Sequence, residues 1–230
     1  MESEKILKTQ NEILWAQIFN STIQSSAWFK DQSISPGRWA AGYPFLYALY
    51  RTLDEIHPKS ILELGLGQTT RIISQYASAF KDVSHTIVEH DEAWIEFFTK
   101  KTNIPDNSEI ITIPITYHSK FMTDKDVVSY IGFKKRFEGR RFDLICIDGP
   151  FGFLAKEYCR VDVLRLMPEC LADDFVIFLD DAERKGERNT VRVMKRILDE
   201  NDISYKTGVY SGLKDTFVLA SEGRRFLCSM

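Results

Sequence analysis

A chain of 230 residues is long enough to bury one substantial α/β core with a short extension, and too short for two independent catalytic domains. With 44% hydrophobic and 27% charged residues it has the balance of a soluble globular protein, and no apolar run approaches the roughly 20 residues a membrane span needs. A net charge of −3 argues against a general nucleic-acid binder, which would usually show a basic face, so no nucleic-acid partner is expected.

In chain order, Met1-Glu2-Ser3-Glu4-Lys5 lacks the basic start and apolar segment of a signal peptide, and a cytoplasmic protein is expected. Residues 4–29 place Ile6, Leu7, Ile13, Leu14, Ile18 and Phe19 near a helical period, which predicts one or two amphipathic helices and leaves a homodimer open. Residues 33–42, with Pro36, Gly37 and Gly42, read as a connector; residues 44–56 read as a helix with proline in its first turn. Residues 1–57 are therefore expected to form a helical extension. Its aromatics Trp28, Phe29, Trp39 and Tyr43 are candidates either for packing or for a lid.

From residue 58 to 230 strand and helix patterns alternate: strand 60–65, helix 70–80, strand 85–89, helix 92–101, strand 109–115. Residues 116–141 are less regular, with a short helix expected near 126–131, and look like an insertion close to a ligand. Lys134-Lys135-Arg136 and Arg140-Arg141 read as a solvated loop. Strand 142–148, helix 156–167, strand 175–179, helix 187–200 and strands 205–210 and 216–220 complete the pattern. The order fits an α/β fold with seven strands, mostly parallel with an antiparallel last strand, and helices on both faces. Cys146, Cys159, Cys170 and Cys228 form no Cys-x-x-Cys pair and read as reduced core thiols.

The run Ile61-Leu62-Glu63-Leu64-Gly65-Leu66-Gly67-Gln68-Thr69-Thr70 reads as a buried strand, a glycine turn and a helix start, the arrangement in which free backbone N–H groups meet a ligand. A dinucleotide fingerprint would place a third glycine at position 70, where this chain has Thr70. Acidic residues stand at the strand ends: Glu63 in the first strand, Glu89 closing the second, Asp148 closing the strand at 142–148, and Asp180 and Asp181 after the strand at 175–179. In open parallel sheets ligands bind beyond those carboxyl ends. A carboxylate at 89 is suited to accept both hydroxyls of a ribose. Taken singly, each acid could equally cap a helix or lie in a solvated loop.

Over residues 58–220 the acidic-x-Gly-x-Gly turn and the strand-end acids resemble the class I S-adenosylmethionine-dependent methyltransferases, with their Rossmann-like seven-stranded sheet. The likeness is nearest to small O-methyltransferases of the catechol and caffeoyl-CoA type. It implies a cofactor site at Glu63, Gly65, Leu66, Gly67, Thr69, Thr70, Glu89, His90, Asp148 and Gly149, and a divalent cation (magnesium or manganese) on Asp148, Asp180 and Asp181. Without a metal, a carboxylate such as Asp181 or Asp148 would act as general base. His118 is a further candidate for the acceptor's base, while His57, His85 and His90 fit structural roles, His90 standing beside Glu89.

Asp148-Gly149-Pro150, then Arg160-Val161-Asp162, then Leu179-Asp180-Asp181-Ala182-Glu183-Arg184 departs from the catechol pattern. It is similar to methyltransferases of sugars and cell-surface polysaccharides, and implies a small-molecule or carbohydrate acceptor with Arg160, Arg184, Lys185 and Arg188 available to an anion on it. Two other readings stay open at this point: an NAD-dependent sugar oxidoreductase, and a non-catalytic cofactor-binding module.

Overall fold

Neighbouring residues of the central strands enter opposite cores, and this alternation sets the architecture. The computed structural model describes residues 2–230. Helices α1 (Glu2–Ile23) and α2 (Tyr43–Ile56) precede β1 (Ser60–Leu64), α3 (Gln68–Ala79), β2 (Ser84–Glu89), α4 (Glu92–Thr99) and β3 (Ser108–Thr112). A hairpin of β4 (Ile115–Phe121) and β5 (Asp124–Tyr130) and the short α5 (Phe133–Phe137) follow. Then come β6 (Phe142–Ile147), β7 (Leu171–Leu179), α6 (Lys185–Glu200), β8 (Tyr205–Ser211) and β9 (Asp215–Ser221).

Seven strands form one sheet in the order β3-β2-β1-β6-β7-β9-β8, parallel throughout except for β9, which runs antiparallel to both β7 and β8. Ile61, Leu144, Cys146, Val176, Phe178, Val218 and Ala220 face a core completed by α1, α2 and α3. Their neighbours Leu62, Ile145, Ile147, Ile177, Leu179, Phe217 and Leu219 face a second core with α5, α6 and the hairpin. A period of two with both faces covered is what a buried parallel sheet demands. The chain moves outward from β1 to β3 and then returns to β6, so strand order reverses between β1 and β6.

Helix α1 is continuous, and it is fastened to the strands by Glu12. That carboxylate accepts from Tyr43 N (2.8 Å) and from Leu213 N (2.8 Å) in the β8–β9 turn. Trp28 and Phe29 belong to the core with Phe19 and Tyr50, not to a lid.

Two expected helices are absent. Residues 126–130 belong to β5 and Ile131 to the turn after it, because Val127 and Tyr130 are buried against the second core while the chain pairs with β4. Residues 156–167 form a loop with a single 3-10 turn at Val163–Arg165. Arg160 adopts φ +52, a left-handed conformation that interrupts a right-handed helix, and Cys159, Val161, Val163, Leu164 and Leu166 are all buried, leaving no solvent face for a helix to present.

Phe178 in β7 is fully buried and its ring centroid lies 5.3 Å from that of Phe45 in α2. Phe178→Ala is expected to lower stability by about 3–5 kcal/mol, the usual loss for a buried phenylalanine, read as a drop in the urea midpoint.

Candidate functional site

At the reversal between β1 and β6 lies a cavity of about 460 Å³, lined by the turn after β1, the ends of β2, β6 and β7, and the loop of residues 149–153. Its size is that of a small-molecule or cofactor site. Gly65 builds the floor. Its φ of +101 is left-handed, and a Cβ there would lie 3.3 Å from the backbone of both Asp148 and Gly149. Gly67 has extended backbone, and a Cβ there would meet nothing within 4 Å, so this glycine keeps the cavity open rather than serving the turn.

Glu89 closes β2 on the cavity wall. Its Oε2 accepts from Leu66 N (3.0 Å), and its Oε1 accepts from His90 N (2.6 Å) and Asp91 N (3.0 Å) and pairs with His90 Nδ1 (2.7 Å). Burial opposes the charge, but the hydrogen bonds from His90 and the backbone amides prevail, and the carboxyl is held below the usual range. The same contact raises the His90 imidazole above its ordinary value. Trp94 of α4 braces the glycine turn by donating Nε1–H to Leu66 O (2.8 Å).

Glu63, Thr69 and Thr70 do not line the cavity. Glu63 is buried beneath the turn, where it accepts from Thr69 Oγ1 and lies 3.0 Å from His85 Nε2, tying the start of α3 to β2. Thr70 Oγ1 accepts from Gly67 N (2.9 Å). These residues shape the turn from beneath the cavity wall. His118 is a further correction: it lies on β4, off the cavity wall, 83% exposed and 3.1 Å from Asp126. Lys185 and Arg188 also lie off the wall, Lys185 paired with Glu157 and Arg188 donating to Glu183 O.

At the other end of the cavity Asp148, Asp180 and Asp181 come together, and among the described residues they form the one acidic group with candidate ligand oxygens all within 4.8 Å. Cations are already among them. Arg160 Nη2 lies 3.1 Å from Asp148 Oδ1 and 2.9 Å from Asp181 Oδ2, and its Nη1 donates to Asp180 O (2.8 Å). Lys214 Nζ lies 2.7 Å from Asp180 Oδ2 and 3.5 Å from Asp181 Oδ1; Arg184 Nη2 lies 2.8 Å from Asp181 Oδ1. Burial pushes Asp148 up to about 7, with Asp180 adding to it and Arg160 and Lys214 opposing. Burial likewise raises Asp180, against the pull of Lys214.

This donor set does not fit a magnesium or manganese ion. A dication about 4 Å from a fixed guanidinium or ammonium meets a repulsion of roughly 8 kcal/mol at an effective dielectric of 20. Each aspartate already gives an oxygen to a cation that the fold holds in place.

Sequence reasoning missed Lys214, Tyr130 and Glu187. Lys214 stands in the β8–β9 turn with no motif around it. Tyr130 ends β5; its buried hydroxyl has no hydrogen-bond partner among the described residues and faces Gly149, where a Cβ would stand 2.6 Å from it. It lines the cavity. Glu187 is fully buried in the first turn of α6, 3.9 Å from both Arg160 and Arg184, so those arginines together face three carboxylates, of Asp148, Asp181 and Glu187. A rim of Trp39, Phe151 and Phe153 covers the mouth, with Trp39 83% exposed.

No model of a known protein family matches the chain, and no curated protein matches its sequence. Solved structures do match, and methyltransferases are among them. The O-methyltransferase TomG of Streptomyces achromogenes, involved in tomaymycin synthesis and solved with S-adenosylmethionine, is 10% identical over 91% of this chain and 97% of its own, with a TM-score of 0.58. The O-methyltransferase of Bacillus cereus, solved with S-adenosylhomocysteine, is 13% identical over 93% of this chain and 91% of its own, at 0.52. The Podospora anserina methyltransferase PaMTH1, also bound to S-adenosylhomocysteine, is 14% identical over 90% and 87%, at 0.50. The chain has the Rossmann-like fold of these methyltransferases.

The two glycines separate by experiment. Gly65→Ala is expected to lower the melting temperature, since an alanine at that φ is strained by about 1 kcal/mol or more and its methyl meets backbone. Gly67→Ala is expected to melt as the wild type does.

Proposed function

We propose that the chain is an S-adenosylmethionine-dependent O-methyltransferase. The observation that carries this reading is the position of Glu89, which closes β2 on the cavity wall and is joined through Leu66 N to the glycine turn. A carboxylate has about four acceptor positions, so Glu89 keeps capacity for ribose hydroxyls beyond its backbone bonds. The unpartnered Tyr130 hydroxyl offers a further donor or acceptor above Gly149. Position 70 argues against a nicotinamide dinucleotide: Thr70 Oγ1 occupies the Gly67 N–H that an opened glycine-rich turn would turn toward a pyrophosphate.

When bound, the cofactor supplies a methyl group on a sulfonium, and the protein must align a hydroxyl in line with it and remove the hydroxyl's proton. Asp148 is the proton acceptor in this reading. It lines the cavity, is 22% exposed, and pairs through Oδ1 with Arg160, which leaves its other oxygen for an acceptor. The acceptor is a hydroxyl on a small molecule or carbohydrate, such as a cell-surface polysaccharide precursor. The aromatic rim and the half-exposed Arg184 and Arg38 support a sugar with an anionic group. Trp39 with residues 38–40 serves as the lid. The exposed Ile6, Leu7, Ile13 and Leu14 of α1 support a homodimer, and no helix among the described residues is long and apolar enough to cross a membrane.

Calorimetric titration of S-adenosylhomocysteine tests the cofactor site. Glu89→Ala is expected to weaken binding about tenfold or more, since a hydrogen bond to a charged group is worth about 1.5–3 kcal/mol. A wild type that takes up no S-adenosylhomocysteine would sink the reading. With an acceptor in hand, pH sets a second test. Below about 7 Asp148 is protonated and cannot take the proton, so the rate is expected to rise with pH and level off above that value. Asp148→Asn is expected to lower the rate about 100- to 10,000-fold.

A further inference from the structure

We infer that Arg160 and Lys214 stand where a divalent cation would otherwise bind Asp148, Asp180 and Asp181, so that this chain excludes the metal and works on an acceptor that need not chelate one. The inference rests on the methyltransferase reading for its acceptor, and on geometry alone for the exclusion of metal.

A dication at three strand-end carboxylates performs two services: it neutralises them, and it locks the ends of two strands in register. Arg160 performs both. Its planar fork reaches Asp148 at the end of β6, Asp181 after β7, and the main-chain oxygen of Asp180 between them, at 3.1, 2.9 and 2.8 Å. A guanidinium is always charged and presents its donors in a fixed plane, which suits a buried bridge between several oxygens. Lys214 completes the set from a different element, bonding Asp180 Oδ2 at 2.7 Å. The turn that carries it is anchored by Leu213 N to Glu12 of α1. Arg184 adds a third cation on Asp181.

A metal held by two or three carboxylates leaves coordination places for two neighbouring oxygens of an acceptor, and so favours vicinal hydroxyls. Arg160 and Lys214 are spent on the protein's own oxygens. Selection of two adjacent hydroxyls has no source here, and an acceptor with a single hydroxyl serves equally well.

Electron paramagnetic resonance of manganese(II) titrated into the intact protein tests this. The wild type is expected to leave the free-ion spectrum unchanged up to about millimolar metal, the range of weak carboxylate sites. Lys214→Met or Arg160→Met is expected to bind one manganese ion at least about tenfold more tightly than wild type, as removing a fixed charge opens the acidic cluster. Adding Asp180→Asn is expected to abolish that gain, and Lys214→Arg to leave the metal excluded. Circular dichroism identifies folded variants, and the wild-type titration decides on its own if either variant fails to fold. Stoichiometric manganese binding by the wild type that Asp180→Asn abolishes would overturn the inference. So would two folded methionine variants that bind no better than wild type. A parallel titration of S-adenosylhomocysteine in the presence of a chelator reads the methyltransferase assignment separately: failure there with manganese still excluded counts against the assignment and not against the exclusion.

Discussion

Four carboxylates meet at the ends of β6 and β7 and the start of α6, Asp180, Asp181 and Glu187 buried and Asp148 on the cavity wall, and the structure has to neutralise them. Charges out of water carry penalties of several kcal/mol each unless paired and hydrogen-bonded, and removing one partner of such a set typically costs about 3–5 kcal/mol. Arg160 answers this demand for Asp148, Asp181 and Glu187 and also donates to the main-chain oxygen of Asp180, whose carboxylate pairs with Lys214. The backbone bends to allow it: Arg160 at φ +52 and Asp181 at φ +59 are both left-handed, and their side chains bond each other. Two strained residues in direct contact mark a place where local preference yields to the site.

The glycine end of the cavity has a different constraint, which is space. Gly65 and Gly149 approach so closely that a Cβ on either would crowd the other's backbone, and the Tyr130 hydroxyl fills the remaining gap. Tyr130 is held there by its backbone, whose N–H donates to the buried Asp162 Oδ1 at 3.0 Å, only two residues from Arg160. The inserted hairpin, the glycine turn and the charged cluster therefore share one support. A shift in the 160–162 segment would move both ends of the cavity together.

Much of the fold was legible because short apolar runs and their breakers are local signals. The strands expected at 142–148 and 175–179 are near-continuous apolar runs of the kind a parallel sheet buries on both faces, and Pro44 and Gly65 mark a helix start and a turn. Residues 156–167 misled because their buried valines and leucines fit a helical spacing, while the feature that prevents the helix is a long-range ionic contact of Arg160 with no local trace. Residues 126–131 misled because the charges of Asp124, Lys125 and Asp126 hide a half-exposed hairpin. In the site, Glu89, Gly65, Gly67 and the three aspartates were readable from their places at strand ends. Lys214 and Tyr130 were not, since each reaches the site from an element whose position depends on the finished fold. Glu63 misled for a related reason: its motif position is right, but His85 and Thr69 draw both oxygens inward.

The cation distribution also separates Asp181, which the sequence offered as a metal-free base, from Asp148. Asp181 is 4% exposed and sits within 3.5 Å of cationic groups from Arg160, Arg184 and Lys214. Both of its oxygens lie against cations of the protein itself, Oδ2 against Arg160 and Oδ1 against Arg184 and Lys214, so neither is left to meet an acceptor. Asp148 has one direct cation, more exposure on the cavity wall, and a burial-raised affinity for a proton near neutrality. Proton transfer is most efficient when the base's pKa lies near the working pH. Arg160 meets both residues through one nitrogen, so it holds Asp181 as a structural partner and fixes Asp148 by a single oxygen. In the proposed reading, the same guanidinium that makes the burial of these acids tolerable leaves Asp148 as the one with an oxygen for the acceptor.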